Sequence, residues 1–385
     1  MFRMYLYLIL AAAVSALATD MMVPALPILQ NAFNTDYSTI QLTISGFLVI
    51  YAGSQLLSGF IGEKLGKLRV LTASFLLFLA GSILCFMSES LMTLLAGRAL
   101  QAVGAGAGPV LSKAIAKETF SPLILKRALS DISSASAVVP LIAPLVGALI
   151  LGHLNWNSLF LVMALFSVVT LLLSPRALAR HDAVVLPSSS GFVTPAFIQG
   201  TLLVSLILSS LFCYISLSPA IFMQQFGLST LNYSLLFSAS VLFFILGNQM
   251  AKFERMINPW VLFIVNALSV VPFIFGSHSL LLCIAGAMIF NLSLGAYYPT
   301  ANFIALQIKG TKTGIAASVT GFIQTVSAGA ISFFAVKLTD TGMGFGRTLG
   351  VSTLLLAILS LLVVTTLKVA QWKTGKKENT EVPEI

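Results

Sequence analysis

Two ionisable residues stand inside otherwise apolar stretches of the 385-residue sequence. Asp20 interrupts the run that begins at Met4, and Arg98 interrupts the run that begins at Leu91. A charged side chain inside a bilayer costs at least about 2.5–3.5 kcal/mol, and burial favours the neutral form of an acid. An acid in this position can bind a proton and release it when its access to water changes. The alternative is a structural ion pair or a residue at a helix end.

Asp20 and Arg98 also fall at matching depths. Asp20 lies about seven residues before the end of its run, and Arg98 about seven residues after the start of its own. At a rise of about 1.5 Å per residue, each residue lies roughly 10 Å below the same boundary. If their helices are neighbours, the two side chains meet, and protonation of Asp20 weakens the pair. We therefore expect both residues to take part in proton coupling, with a static pair as the alternative.

A third set of residues combines glycines with charges after the second apolar run. Glycines permit a tight turn and a close approach of helices, and the charges can form pairs that lock one face of the protein. Ordinary topogenic charge is the alternative, but it does not explain the glycine spacing. The set comprises Gly59, Glu63, Lys64, Gly66, Lys67 and Arg69.

Two further stretches carry closely spaced small residues or prolines. One follows Arg98 and Gln101 and reads Gly104-Ala-Gly-Ala-Gly108, then proline; the other contains Pro140, Pro144 and Gly147. Small residues allow helices to pack closely in lipid, and prolines kink helices. Static packing and rocking of helices both use these features, and the sequence does not separate them.

Composition defines the elements that must position these residues. Of the residues, 58% are hydrophobic and only 9% are charged, whereas soluble domains carry about 25% charged residues. This excludes a cytosolic enzyme and a disordered chain, and the long apolar runs exclude an outer-membrane barrel. The remaining class is an all-α membrane protein. Twelve helices are predicted at about 4–27, 39–61, 70–88, 91–114, 128–151, 156–174, 195–221, 233–251, 259–276, 280–304, 313–337 and 347–370.

The basic residues predict the orientation of these helices. With twelve spans and an internal N-terminus, 18 of the 21 Lys and Arg fall on the inner side or at the two ends. This is the positive-inside bias, and it predicts that both termini are cytoplasmic. The net charge of +9 has the same explanation, so no nucleic-acid partner is expected. The three isolated cysteines predict neither disulfides nor a metal site.

A polar segment divides the chain into two halves. We predict an N-terminal six-helix half at 1–174, a cytoplasmic linker at 175–194, a C-terminal six-helix half at 195–370 and a cytoplasmic tail at 371–385. Gly59 and Lys64 recur as Gly247 and Lys252 at an offset of 188. Two such halves are typical of a large class of transporters with a central cavity.

Other polar and aromatic positions carry weaker signals. Asp131 is expected near the inner start of the fifth span, where a carboxylate stabilises a helix N-terminus. Seven residues of the second half are candidates for a substrate cavity, although each alone is compatible with packing or an interfacial anchor. They are Tyr214, Phe222, Asn291, Tyr297, Tyr298, Phe322 and Gln324.

These motifs together resemble the major facilitator superfamily, and more closely the twelve-span drug:proton antiporters of the Bcr/CflA type. Thr19-Asp20-Met-Met-Val-Pro-Ala-Leu-Pro27 is similar to the family's T-D-M-Y-L-P-A-L-P, and the Gly59–Arg69 stretch to its G-x-L-x-D-R-x-G-R-R loop. Arg98-Ala-Leu-Gln-Ala-Val-Gly104 is similar to R-x-x-Q-A-x-G, and Pro140–Gly147 to the antiporter motif. The run from Ser216 to Ser229 also looks like the family's exit from the seventh span.

The resemblance implies efflux in exchange for protons, with protonation at Asp20 and coupling through Arg98. Three departures qualify it. Glu63 stands where the family has Asp, Asn157 stands where members often have Arg, and Ala12 lies in an apolar region where some multidrug relatives carry a second acid. A single membrane acid predicts a low proton stoichiometry.

We therefore predict a proton-coupled exporter of small amphipathic molecules in the bacterial inner membrane. It should act as a monomer, driven by the proton gradient without a cofactor. A dedicated exporter of one metabolite, such as a siderophore, sugar or amino-acid derivative, is the alternative within transport. An intramembrane enzyme lacks its motifs here, a channel would need a selectivity loop or a ring of charges, and an ATP-driven pump would need a Walker loop.

Overall fold

The computed structural model describes residues 2–175, 194–250, 259–275, 279–306 and 313–378. Within these ranges the chain is helical and contains no strand, which confirms the predicted all-α membrane class. Eight of the described helices are long and apolar enough to cross a membrane, and three shorter apolar helices accompany them. Residues 176–193 of the predicted linker and 379–385 of the predicted tail lie outside the described part of the chain.

Twelve helical segments, named α1 to α12, follow one another in the described residues, and each predicted span coincides with one of them. Several consist of two consecutive pieces. They are α1 (Phe2–Asp20, Val23–Ala25 and Leu26–Ala32), α2 (Tyr37–Ile40 and Leu42–Leu65), α3 (Lys67–Phe86), α4 (Leu91–Ala105 and Ala107–Thr119), α5 (Pro122–His153), α6 (Ser158–Leu173), α7 (Pro195–Pro219 and Ala220–Gln225), α8 (Thr230–Met250), α9 (Pro259–Ser269 and Val271–Ile274), α10 (Leu280–Leu306), α11 (Thr313–Lys337 and Leu338–Thr341) and α12 (Phe345–Glu378).

Several boundaries differ from the predictions because helices extend beyond their apolar cores, and the two largest differences are at the start of α5 and the end of α12. The fifth helix begins at Pro122 rather than near residue 128, since proline is well tolerated in the first turn of a helix. The last helix continues to Glu378, so the predicted tail begins as helix. Hydropathy marks the stretch that lipid requires to be apolar, whereas hydrogen bonding continues the helix into the polar region.

The helices pack mainly in two groups, α1–α6 and α7–α12. Within the first group α1 packs against α4 and α5, and α3 packs against α4 and α6. Within the second, α7 packs against α10, α11 and α12, and α8 packs against α10. The groups touch chiefly through α2 with α11 and through α5 with α8. A space between them is therefore bordered by helices from both groups.

The glycines of α4 explain how one helix contacts three others. A Cβ atom at Gly104 would lie 2.5 Å from the Phe78 backbone nitrogen of α3, and one at Gly106 would lie 2.6 Å from the Ser54 hydroxyl of α2. A Cβ at Gly108 would overlap the Ala11 carbonyl oxygen of α1. Each glycine thus admits a different neighbouring helix, which is the use of small residues expected in lipid.

We call the end of the bundle with Phe2 and the α2–α3 connection at Gly66 the terminal face, and the end with the α1–α2 connection at residues 33–36 the distal face. At the distal face Tyr37 and Gln41 both donate hydrogen bonds to Ser216 of α7, Tyr37 to the carbonyl at 2.7 Å and Gln41 to the hydroxyl. All three residues are buried. Two more bonds join the groups at this face, from Ser38 to Asp340 at 2.7 Å and from Gln224 to Gln30 at 2.8 Å.

The local backbone of α7 makes Ser216 available for this contact. Pro219 has no N–H, and the helix continues as a π-turn over Ala220–Gln225. The Ala220 N–H bonds to the Leu217 carbonyl instead of the Ser216 carbonyl. The Ser216 oxygen is thereby open to the Tyr37 hydroxyl, and the irregular turn serves the contact between the groups.

Candidate transport cavity

A cavity of about 430 Å³ lies between the two groups of helices, on the terminal side of the distal hydrogen bonds. Its volume falls in the range of about 300–1,000 Å³ that is usual for small-molecule sites. Helices α1, α2, α4 and α5 form one wall, and α7, α8, α10 and α11 form the other. The lining residues are Ala12, Ser15, Ala16, Thr19, Asp20, Phe47, Leu48, Tyr51, Pro109, Pro140, Leu208, Leu211, Phe212, Tyr214, Ile215, Phe237, Ser240, Val241, Phe244, Ile245, Asn248, Asn291 and Thr325.

Among the described residues, Asp20 contributes the single carboxylate of this lining, and no Lys, Arg or His of those residues joins it there. The side chain is 7% exposed. One carboxylate oxygen lies 3.3 Å from the Thr19 hydroxyl, which shares its single proton between this oxygen and the Ser15 carbonyl at 3.1 Å. The acid therefore faces a cavity that is apolar apart from a few neutral polar groups.

The sequence breaks α1 just after Asp20. The Met22 N–H bonds to the Thr19 carbonyl rather than to Ala18, and Pro24 then opens the short Val23–Ala25 turn. The Ala18 carbonyl is left for another donor, and Arg98 supplies it at 3.1 Å. The break thus places Asp20 at the end of the first piece of α1 and leaves the Ala18 carbonyl oxygen free to accept from Arg98.

Arg98 is buried, with 1% of its surface exposed, and it is held by backbone and side-chain oxygens. Its Nε donates to the Thr43 carbonyl at 3.0 Å, and its Nη1 donates to Gln101 Oε1 at 2.8 Å. The guanidinium carbon lies 4.3 Å from the centre of the Phe47 ring, a cation–π contact. Its Nη2 has no hydrogen-bond partner in the part of the chain that the structure describes.

The structure brings α1 and α4 together but does not pair Asp20 with Arg98. The helices are neighbours, as the matching depths required, yet the two side chains form no ion pair in this conformation. Arg98 instead reaches the backbone of α1 two residues before Asp20. The expected direct pair is therefore absent here, and the Nε and Nη1 donors of Arg98 are bonded to backbone carbonyls and to Gln101 instead.

Gln101 links Arg98 to the interior of the first group. While its Oε1 accepts from Arg98, its Nε2 donates to Ser82 of α3 at 2.8 Å and lies 3.5 Å from the Met163 sulfur of α6. The sequence singled out Gln101 only through its spacing from Arg98. Ser82 and Met163 carried no signal, since serine and methionine are common in apolar helices.

The charged residues at the α2–α3 connection form a cluster around Lys67. Its Nζ lies 2.8 Å from Glu63 and 2.7 Å from Glu118 at the end of α4, and the lysine side chain is only 6% exposed. Lys64 and Arg69 are exposed and form no ion pair with a described residue. The expected pairs thus exist, but they join α2, α3 and α4 of one group rather than the two groups.

The glycines of the same connection have separate roles. Gly66 has φ = +94°, a backbone conformation that side chains rarely adopt, and it makes the turn from α2 to α3. At Gly62 a Cβ would lie 2.9 Å from the Leu111 side chain of α4. At Gly59 the nearest atom, in Val110, would be 4.0 Å away, so Gly59 is not required by close packing.

The residues of α5 separate into a cavity contact and a packing contact. Pro140 lines the cavity, and Pro144 is buried. A Cβ at Gly147 would lie 2.6 Å from the Met21 carbonyl oxygen of α1.

Asp131 accepts a hydrogen bond from the Tyr5 hydroxyl of α1. Because α5 begins at Pro122, the expectation that Asp131 stabilises the helix N-terminus is wrong, and the residue connects two helices instead.

Of the seven predicted cavity residues in the second half, Tyr214 and Asn291 line the cavity. Phe222 does not; it is buried in the distal π-turn, where its ring packs against Phe226 and Phe273. Tyr297 lines a separate small cleft within the second group. In this conformation both residues lie outside the cavity lining, because aromatic side chains also fill contacts between helices.

Tyr298, Phe322 and Gln324 are also absent from the cavity lining. The Tyr298 ring packs on Phe244, which itself lines the cavity, and Thr325 lines the cavity beside Gln324 in sequence. The sequence missed most of the aromatic lining, which no periodicity distinguishes in helices that are apolar on every side. The missed aromatic residues are Phe47, Tyr51, Phe212, Phe237 and Phe244.

Comparisons with known proteins agree with this architecture. A sequence model described as Major Facilitator Superfamily matches residues 8–335. The chain is 25% identical over 383 residues to Multidrug resistance protein D of Escherichia coli (strain K12), covering 94% of both chains. It is 24% identical over 369 residues to Multidrug resistance protein MdtL of Klebsiella pneumoniae (strain 342), covering 92% of this chain and 93% of that protein.

A solved structure shows the same fold at low sequence identity. It is that of a bacterial homologue of the human lysosomal transporter Spinster in an inward-facing, occupied conformation, with a TM-score of 0.77 and 15% identity. The alignment covers 95% of this chain and 96% of that one. At this identity the likeness concerns the fold, two groups of helices around a central space.

Proposed function

The chain belongs to the major facilitator superfamily, and on that premise we propose that it exports small amphipathic molecules in exchange for protons, by alternating access. Members of this family are transporters, so the chain is a membrane transporter of small molecules and not an enzyme. The relatives named for multidrug resistance support an export direction. The observation that carries the proposal is the position of Asp20 in the cavity.

The chemistry of the cavity suits a lipophilic molecule with one positive charge. Aromatic rings and aliphatic side chains supply an apolar surface, and the Asp20 carboxylate supplies the one fixed anion that the described residues place in the lining. A cation and a proton then compete for the same acid. Binding of one releases the other, which is the exchange that an antiporter requires. With one acid in the lining, we infer one proton per cycle at this site.

The distal hydrogen bonds fit one stage of such a cycle. They close the space between the groups at the distal face, and the cavity lies on the terminal side of them. With both termini in the cytoplasm of a bacterial inner membrane, as the basic residues predict, this conformation receives substrate from inside. Release outside then requires the bonds to Ser216 to break.

Replacement of Asp20 tests this proposal. We expect Asp20→Asn to abolish the dependence of efflux on a pH gradient while leaving the protein folded, because an amide does not exchange protons. Asp20→Glu should retain exchange. Uptake of a fluorescent lipophilic cation into inverted vesicles, which corresponds to export from the cell, measures the rate. Glu89→Gln is the matched control, since this exposed acid lies in the connection between α3 and α4, outside the cavity and outside the distal hydrogen bonds. Gradient-driven efflux by Asp20→Asn at the wild-type rate would refute the proton role.

A dedicated exporter of one metabolite is the second candidate. Its support is the set of neutral polar groups in the cavity, which includes Ser240, Asn248, Asn291 and Thr325 from the second group of helices. These groups suit hydrogen bonds to a specific polar substrate. A deletion strain and its complemented parent distinguish the two functions. Changed resistance to several unrelated drugs indicates a broad exporter, whereas one accumulated metabolite and unchanged resistance indicate a dedicated one.

A further inference from the structure

A second cavity lies on the outer surface of the first group of helices, away from the transport cavity. It has a volume of about 450 Å³ and is formed by α2, α3 and one residue of α4. We call it the lateral groove. Its lining is Ile50, Gly53, Ser54, Leu57, Ser58, Ile61, Leu65, Val70, Ala73, Ser74, Leu77 and Val103.

The lateral groove has the direction and length of a lipid chain in one leaflet. Its α2 residues run from Ile50 to Leu65, which corresponds to about 22 Å along a helix at 1.5 Å per residue. One leaflet contributes about 15 Å of hydrocarbon, and about 20–22 Å together with its headgroup region. The groove thus extends from mid-membrane to the terminal face. Several of its apolar side chains, including Leu57, Leu65 and Leu77, are exposed.

Positive charge stands at the terminal end of the groove. Leu65 and Val70 form that end, and the exposed cations Lys64 and Arg69 adjoin them in sequence. The nearby acids Glu63 and Glu118 are both bound to Lys67. Lys64 and Arg69 form no ion pair with a described residue, so they remain available to an anion from outside the protein. Basic residues at the membrane surface beside an apolar groove match a phosphate attached to an acyl chain.

We propose that the lateral groove binds one anionic phospholipid, with an acyl chain between α2 and α3 and the phosphate on Lys64 and Arg69. The proposal concerns a site outside the transport cavity and does not depend on the identity of the substrate or on proton exchange. A zwitterionic lipid has no net charge to match the two cations. A second copy of this chain, as another occupant of the groove, would have to place acidic side chains beside Lys64 and Arg69.

A tryptophan placed in the groove measures the lipid beside it. Leu57→Trp reports from the groove, and Leu281→Trp, which is also exposed but lies on α10, reports from ordinary lipid-facing surface. The full chain is reconstituted in mixtures of phosphatidylglycerol and phosphatidylcholine in which one or the other is brominated. The parent protein's fluorescence is subtracted from that of each reporter. The ratio of quenching by brominated phosphatidylglycerol to quenching by brominated phosphatidylcholine then gives the preference of each position for the anionic lipid.

The groove reporter should prefer the anionic lipid by roughly fivefold or more, since one basic residue near an anionic surface contributes about a factor of five. The Leu281→Trp reporter should show no such preference. Lys64→Gln with Arg69→Gln should reduce the groove preference to that of the control. Lys117→Gln removes an exposed cation from the end of α4 and should leave the preference unchanged. Equal quenching by both lipids at Leu57→Trp overturns the proposal.

A second variant tests the acyl-chain part separately. A Cβ at Gly53 would meet no atom within 4 Å, so Gly53→Leu introduces an apolar side chain into the groove from an open position. It should abolish the anionic preference at the groove reporter. Gly46→Leu is the matched control, because this glycine of α2 also has free space but does not line the groove. If Gly53→Leu retains the preference for the anionic lipid, no acyl chain occupies the groove. If quenching falls as the protein concentration rises, the groove is covered by a second copy of the chain, which also contradicts the proposal.

Discussion

The distal hydrogen bonds make a quantitative prediction for Tyr37→Phe. The tyrosine hydroxyl donates to the Ser216 carbonyl at 2.7 Å, and the ring packs edge-on against Phe345 with centres 5.4 Å apart. Phenylalanine keeps the ring and removes only the donor. In the closed conformation the Ser216 carbonyl then lies buried without this partner. In an open conformation water reaches the carbonyl, so the variant loses stability only when closed.

The magnitude follows from the cost of a buried polar group without a partner. That cost is about 1–3 kcal/mol, which corresponds to a change of roughly 5- to 150-fold in the ratio of open to closed molecules. If the wild-type protein is 99% closed, the open fraction rises from about 1% to between about 5% and 60%. A shift of this size is measurable as a population.

Distances between two spin labels measure that population. Cysteines replacing Asn31 at the end of α1 and Gln225 at the end of α7 place both labels at exposed positions on the distal face. The three native cysteines, all of which are buried, are replaced by alanine so that only the introduced cysteines carry spin labels. We expect Tyr37→Phe to increase the population with the longer separation. Substrate efflux need not fall, because opening is part of the cycle.

Tyr233→Phe is the matched control for this experiment. Tyr233 is buried like Tyr37 and also bonds a serine of α7, with its hydroxyl 2.9 Å from that of Ser218. Both of these residues belong to the second group, so loss of the bond does not favour opening. An equal shift in both variants, or no shift in Tyr37→Phe, would refute the assignment of Ser216 to closure between the groups.

Two further predictions concern packing and the charged cluster. Gly108→Ala places a Cβ against the Ala11 carbonyl and should greatly lower the yield of folded protein in size-exclusion chromatography, whereas Gly152→Ala, which meets no neighbour, should leave the yield unchanged. Lys67→Met removes the shared partner of two carboxylates and should lower the stability by about 2 kcal/mol, seen as a lower thermal midpoint in detergent. Lys64→Met should leave the midpoint nearly unchanged, and equal effects of the two substitutions would contradict the special role of Lys67.

The sequence by itself determined the class of protein and the positions of its helices. Lipid provides no hydrogen bonds, so long apolar runs must be helices, and the few charges inside them are conspicuous. Asp20 and Arg98 were identified on this ground, and the structure places one in the cavity lining and the other buried on a neighbouring helix. The glycines of α4 were likewise predicted to pack closely, although three separate partners could not be assigned from their spacing.

Only the tertiary structure decided which side chains face the cavity. In water, a helix reveals its buried face by its apolar stripe, but a helix in lipid is apolar on both faces, so the pattern carries no direction. In the sequence, Phe222 and Tyr297 therefore looked as suitable for the cavity as Tyr214. Phe237, which lines the cavity, could not be distinguished from a residue that only fills a contact between helices. The hydrogen-bond partners of Arg98 could not be predicted from the sequence either. Its bonds to the Ala18 and Thr43 carbonyls depend on a break in α1 and on the approach of α2. Backbone acceptors have no signature in the sequence, because every residue carries one.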